Sequence, residues 1–423
     1  MSRSTSRLPP PPPSAHTVNT DSTSNFKTQA SSGARVRVGR LNLQAKQALT
    51  LPSGLRHELQ FYPASSTPSF GSYFTIDIKA QNILLHNVTL QFNLGNVVGT
   101  SVVGSFSPAY FFFNRIEIVQ GTNVIKTIQG NQQFLKNNLF EWDEDRMGAI
   151  MTACGRYDSA TQRATLSSTT TPNTFYVNLK TYFDTISVPM LTDAHQIQLR
   201  VYMEPLASVY AVTSGTLTSC AINSVNAICK VTRLDNATSN LRLQQMAVAP
   251  FHNIFMDNVY FPYTIPAGVS TVTTVLSGIT GNVSALLFTI RGSTTGTGAW
   301  NYTQLKDFSI SDNTGTNIVG GQAIPAAYAS LLLNKDWIRS SYNTETSYGT
   351  NDQKANFYLY SFSSDLVTAV TQGQCLNSRR FNGAETLQLN FASALGANVS
   401  VDVYAFVESV LEQTPSSVRK ITL

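Results

Sequence analysis

Residues 111–142 read FFFNRIEIVQGTNVIKTIQGNQQFLKNNLFEW. An aromatic-rich strand pattern runs into a Gly121-Thr122-Asn123 turn. A short β pattern follows, then Gly130, then a helical run that closes on Trp142. The unit recurs 194 residues later, where Gly315-Thr316-Asn317-Ile318-Val319 answers Gly121-Thr122-Asn123-Val124-Ile125. Phe308-Ser309-Ile310 stands for Ile116-Glu117-Ile118, a helix expected over Ile324–Leu333 stands for Gln132–Leu139, and Trp337 stands for Trp142. Two strand–turn–strand–helix units in one order indicate a duplicated β domain.

Outward from that unit the same order holds. Strands are expected at Glu58–Tyr62, Ser72–Lys79, Asn87–Leu94, Phe175–Phe183, His195–Glu204 and Cys220–Leu234, with Val188-Pro189-Met190-Leu191 as a break. In the second half Ser270–Ser277, Asn282–Arg291, Phe357-Tyr358-Leu359, Ala384–Phe391 and Val399–Leu411 answer them, the third being matched to Phe175-Tyr176-Val177. A linker helix is expected at Asn240–Met246, and a further helix at Met147–Ala153. Short alternating strands separated by turn residues describe a β-sandwich.

The length of 423 residues suits two domains and an arm rather than one core. Only 13% of residues are charged, which favours an all-β protein with large covered surfaces. The net charge of +5 is unevenly placed. Residues 1–60 hold eight Lys or Arg against Asp21 and Glu58, and the remainder holds 21 basic against 22 acidic residues. The basic character therefore belongs to an N-terminal arm that also carries five consecutive prolines at 9–13 and cannot bury a core of its own. Within it Arg35–Leu41 alternates charged and apolar residues, as an edge strand would. No run of 18 apolar residues is present, and the N-terminus lacks the apolar stretch of a secretory signal. The Asn-x-Ser/Thr triplets at Asn87, Asn236, Asn282, Asn301 and Asn398 then read as chance products of an Asn- and Thr-rich chain.

Catalytic patterns are absent: no HExxH, GxSxG, phosphate loop or dinucleotide fingerprint occurs. The glycine-rich run Gly292–Gly298 lacks a lysine and reads as a surface loop. Asp193 and His195 could form a proton-transfer pair, but no nucleophile is implied beside them, and His195 reads as a strand-edge residue. Asp143-Glu144-Asp145 lacks the spacing of a calcium loop and reads as a solvated loop. Tyr110-Phe111-Phe112-Phe113 suits burial on two sides better than a sugar platform. Cys154, Cys220, Cys229 and Cys375 form no CxxC pair and read as buried thiols, with a Cys220–Cys229 bridge as the alternative. No catalytic, cofactor-binding or metal-binding residue is assigned, no cofactor is expected, and the protein is read as non-enzymatic. The basic arm could neutralise phosphates of nucleic acid or of anionic lipid.

Four stretches carry a resemblance. Phe113–Gly121 is similar to a strand-and-turn motif, and Val188–Leu199 to the segment before a later strand, of the double jelly-roll major capsid proteins. Lys230–Asp235 resembles the strand that closes their first roll. Leu359-Tyr360-Ser361-Phe362, followed by Gly373 and Asn377, resembles a signature of the second. The lineage spans tailless phages with internal membranes, adenoviruses, virophages, polinton-like viruses and large nucleocytoplasmic DNA viruses. The resemblance implies an all-β fold of two tandem eight-stranded antiparallel jelly-roll sandwiches with short helices in the inter-strand loops. It divides the chain into an arm at 1–50, a first roll at 51–237, a linker at 238–249, a second roll at 250–412 and a tail at 413–423. It implies a virion protein that forms homotrimeric, pseudo-hexagonal capsomers of an icosahedral shell. Its partners would be neighbouring capsomers, penton and minor capsid proteins, with an internal membrane or the genome reached through the arm. The competing readings are a minor capsid or spike protein, a carbohydrate-binding or adhesin β-sandwich, and a cupin-like enzyme; the last needs clustered ligands that five dispersed histidines do not supply.

Overall fold

Strict alternation builds the first walls. β2 (Tyr73–Ile78) and β8 (Ile197–Met203) place Phe74, Ile76, Ile78, Ile197, Leu199 and Val201 on one buried face and polar residues on the other. They pair antiparallel, and β8 pairs next with β4 (Phe113–Gln120), which pairs with β5 (Asn123–Gln129), giving the sheet order β2-β8-β4-β5. The facing sheet is β1-β9-β3-β6, built from β1 (Arg56–Pro63), β3 (Ile83–Phe106), β6 (Asn173–Asn178) and β9 (Tyr210–Arg233). A short β7 (Val188–Met190) pairs with the start of β3. Between the two sheets lies a core that includes Phe92, Phe112, Phe175 and Val231.

The computed structural model describes residues 56–106, 108–141, 153–154, 173–292, 305–319, 321–326, 328, 347–348, 353–354, 357–372 and 377–423. The arm at 1–50, Trp142, Asp143-Glu144-Asp145, most of the Met147–Ala153 helix and of the Gly292–Gly298 loop, Trp337, Gly373 and Cys375 lie outside these residues.

The second roll repeats the first strand for strand. Its sheets are β10-β20-β12-β17 and β11-β19-β13-β14. The strands are β10 (Phe251–Ile265), β11 (Thr271–Val275), β12 (Thr280–Gly292), β13 (Asp307–Ser311), β14 (Ile324–Pro325), β17 (Phe357–Ser361), β19 (Thr386–Asn390) and β20 (Val399–Thr414), with a small β15–β16 pair at Ser347–Tyr348 and Gln353–Lys354. β18 (Arg379–Asn382) pairs with the start of β12 as β7 pairs with β3. β3 slips register between Leu85 and Asn87, and β12 slips between Val283 and Ala285, so even the bulge recurs. This is the tandem jelly-roll architecture. A helix at Asn236–Val248, N-capped by Asp235 through its bond from the Thr238 amide (2.6 Å), joins the rolls.

Several expectations change. Val188–Met190 is a strand and not a break: Pro189 sits on an edge strand, where a missing N–H costs no ladder bond. The Phe175–Phe183 strand stops at Asn178, and Tyr182–Ile186 is helical. Ile318-Val319 is a turn, because the Asn317 side chain bonds the Val319 amide (3.0 Å) and the Gln322 carbonyl (3.1 Å) and turns the chain away from β13. Ile324-Pro325, expected as a helix start, pairs with Asp307 and Phe308 instead. The tail at 413–423 contains the end of β20 and β21 (Ser417–Thr422), which folds back on β20. Cys220 and Cys229 are free thiols nine residues apart on one strand, roughly 30 Å by strand rise, so no bridge can join them.

Candidate functional site: the seam between the rolls

The helix of the opening stretch, Gly130–Lys136, continues as a wider turn through Asn137–Glu141. Gly130 allows its approach: a Cβ there would lie 2.0 Å from the Tyr110 carbonyl oxygen and 2.6 Å from that of Phe113. Held against that turn, the segment points Leu135, Leu139 and Phe140 away from its own roll. They pack on the outward face of the β10-β20-β12-β17 sheet, against Leu287, Leu359 and Tyr404. Phe140 meets Phe406 edge-on at 6.0 Å. Burial of each such side chain is worth about 1.5–3 kcal/mol. The aromatics Tyr110, Phe111, Phe112 and Phe113 are all buried in the first core, which removes the sugar-platform reading.

Polar groups cross the same seam. Asn131 donates to Asp402 (3.4 Å), which also accepts from the Tyr260 hydroxyl (2.7 Å) and pairs with Arg291 (2.5 Å). Tyr260 stacks on Tyr404 at 5.2 Å, and burial, reinforced by the Asp402 charge, raises both phenols. Lys126 is fully buried and donates to the Met256 carbonyl (2.8 Å). Burial pulls its ammonium down to about 7, against the attraction of Asp257, whose carboxylate is held by Lys420 at 2.7 Å.

His195 is the residue whose role the sequence hid. It is fully buried in a short 3-10 turn, Asp193–His195, before β8. Its Nε2 lies 2.7 Å from the Thr414 carbonyl, which can only accept, so Nε2 carries the proton; Nδ1 accepts from the Leu191 amide (3.3 Å). Burial lowers its pKa. Asp193 instead accepts from Gln81 and Gln196, both at 2.7 Å, so the proton-transfer pair does not form. Thr192 to the Pro415 carbonyl (3.0 Å) and Asn123 to that of Val418 (2.7 Å) extend the same clamp. Phe255, Leu411 and Val418 of the second half enter the first core.

Beside the seam lies a cavity of about 60 Å³ lined by Lys136, Lys180, Thr181, Asp184, Phe255 and Val370, among others. It is far below the few hundred Å³ of a small-molecule site. Burial raises Asp184 to about 6, opposed by hydrogen bonds from the Thr181 amide and the Asn87 side chain. Among the described residues, no three His, Cys, Asp or Glu side chains are grouped to hold a metal ion. The arrangement is a mechanical joint that locks two sandwiches into one compact unit, Pro52–Leu423.

Comparison with known proteins meets this geometry at its first half. The family described as the major capsid protein N-terminus matches residues 59–249. The match covers the first roll and the joining helix. Among solved structures, the chain superposes on PBCV-1 VP54, as fitted into a reconstruction of the virophage Sputnik, with a TM-score of 0.64 and 14% identity over 88% of this chain and 98% of that one. The Faustovirus major capsid protein gives 0.62 and 9% identity over 90% and 97%. A model of the PBCV-1 capsid gives 0.61 and 14% over 87% and 96%. The likeness to these structures is one of fold, and it spans both rolls. No curated protein matches the chain by sequence. The matching family and these solved structures are those of viral shell proteins.

Proposed function

We propose that three copies of this capsid protein associate into a capsomer whose six rolls form a pseudo-hexagonal block, and that such blocks tile an icosahedral facet. One observation carries the reading: the two rolls of the chain repeat in strand order and in bulge position. Two nearly equivalent bodies per copy let a threefold ring offer its neighbours a nearly sixfold outline. The locked seam supports the same reading, since a tile must transmit load between its halves without bending. Residues 1–50 serve in this scheme as a clamp that reaches neighbouring capsomers, penton or minor capsid proteins. Its excess of Lys and Arg suits the anionic surface of a membrane or genome beneath the shell. Static light scattering on the full chain is expected to return three times the chain mass, with hexagonal outlines in negative stain. A stable monomer at every concentration and salt tested would refute it.

A further inference from the structure

We propose that β1 is an acid-sensitive latch: protons taken up by His57 and His86 undo its pairing with β9 and add its residues to the arm. The latch does not depend on how many copies associate. β1 is lightly held. It is an edge strand, paired with β9 alone, and none of its eight side chains is fully buried. Its ion pair, Arg233 to Glu58 (3.0 Å), is exposed, and such pairs are worth little. Arg56 stands opposite Arg233 in the ladder, so like charges meet at its first residue. Segments with so little buried surface open before the rest of a fold. The arm at 1–50 enters the roll through this strand.

A chain of hydrogen bonds fastens its start. His86 is the extra residue of the β3 bulge: Leu85 pairs with Val231 and Asn87 with Lys230, which leaves His86 outside the ladder. Its Nδ1 meets the Ser187 hydroxyl (2.8 Å) and its Nε2 the Thr232 hydroxyl (2.7 Å). The same Thr232 oxygen lies 2.8 Å from His57 Nδ1, with the two rings 5.8 Å apart. Thr232 is fully buried, and the two imidazoles are the only partners of its hydroxyl among the described residues. A hydroxyl has one proton to give. With both rings neutral, or one charged, every link of the chain holds a single proton. With both charged, His86 Nε2–H and His57 Nδ1–H point at one oxygen, and the Thr232 proton has no acceptor. The pair therefore takes a first proton readily and a second at the expense of the closed strand.

The charges around the pair act in the same direction. β1 brings Arg56 and Glu58, and β9 brings Lys230 and Arg233. The helix at Tyr182–Ile186 brings Asp184, which accepts from Asn87 (2.5 Å); burial raises it to about 6, so this anion is lost as the imidazoles gain charge. β7 brings no charged group. In the open strand the imidazoles return to an ordinary value near 6.5. In the closed strand burial, then the His57 charge and Lys230, lower His86. The open strand binds more protons below that value, so the latch is closed above about 6.5 and gives way as pH falls. The jelly roll itself does not require these residues. Aligned on the bulge, the second roll has Ser284 for His86, Met256 for His57 and Glu408 for Thr232. Its first strand is anchored by Phe255 and Met256, both buried.

Hydrogen exchange of the full chain, read by mass spectrometry and corrected for the intrinsic effect of pH, tests the latch. From about pH 7.5 to about pH 5, β1 is expected to lose protection about tenfold, the factor that one unit of lowered pKa supplies, while β8 keeps its own. His57→Gln and His86→Gln offer an amide to the same partners and cannot be charged; each should cut the loss to about twofold or less. His252→Gln, at the second residue of β10 as His57 is of β1, should leave the loss unchanged. The wild-type measurement stands whether or not a variant folds. Constant β1 protection in the wild type, a full loss in either His57→Gln or His86→Gln, or β1 and β8 opening together overturns the latch.

Discussion

Lys126 shows how a single side chain can oppose the fold that contains it. Its ammonium is buried at the seam with the Met256 carbonyl and the Asp257 charge for company, and its pKa falls to about 7 from an ordinary 10.5. The unfolded chain therefore holds the proton more tightly between those values. Stability should rise as pH goes from about 7 to about 10 and should lose that gain as pH falls back through 7. Lys126→Met removes the charge and keeps the volume. The variant is expected to lose this slope in urea melts and, at pH 6, to be more stable by roughly 1–4 kcal/mol, as when a buried ion pair is replaced by apolar groups. A variant weaker than wild type at every pH would show that the Met256 bond outweighs desolvation. Nothing in the local sequence marks Lys126 as buried: it shares a face of Asn123–Gln129 with Val124 and Ile128, but β5 is an edge strand, from which a lysine side chain can reach water. The second roll makes that side dry. His195 is similar, since the carbonyl that holds it lies 219 residues away.

At the scale of elements, the opening stretch was legible almost residue by residue. The β4–β5 hairpin turns at Gly121 with φ of +61°, and the helix starts at Gly130. Gly130 also yields a prediction, because Ala there drives a methyl group into two backbone carbonyls. Gly130→Ala is expected to destabilise by about 1–3 kcal/mol or more, visible as a lower urea midpoint, although alanine is the better helix former. An unchanged midpoint would mean that the Tyr110–Phe113 turn yields easily. Other elements misled in a regular way. Phe357-Tyr358-Leu359 matches Phe175-Tyr176-Val177 by letters, yet the ladders equate Phe357 with Tyr176. Tyr358 is therefore in the core while Tyr176 is exposed, since one residue of slip exchanges the faces of a strand. β10 escaped notice because it is covered on both sides, which erases alternation, and because Pro262 interrupts it. The far ends of β3 and β9 pair as a long bulged ribbon whose Gly, Ser and Thr content reads as loop.

For the whole molecule, the expectation is that the two rolls melt together. The seam buries a cluster of its own, and Phe255, Leu411 and Val418 lie in the core of the first roll although they belong to the second half. Calorimetry of the full chain should show one endotherm. Leu139→Asp, which puts a charge at the centre of the seam, should lower it by several degrees or split it in two. Two separate endotherms in the wild type would mean that the rolls are independent bodies merely tethered by the helix at Asn236–Val248.

The sequence by itself determined the strand order, the duplication and the capsid resemblance, because alternation, turn glycines and repeated spacing are local properties that a chain displays one residue after another. The tertiary structure alone decided which faces are covered. Leu135, Leu139 and Phe140 look like the inner stripe of a small helix, and only the second roll shows that they are its seal. Phe61 and Tyr260 occupy one position of the repeat, yet one is bare and the other packed, because burial is a property of the partner surface as much as of the residue.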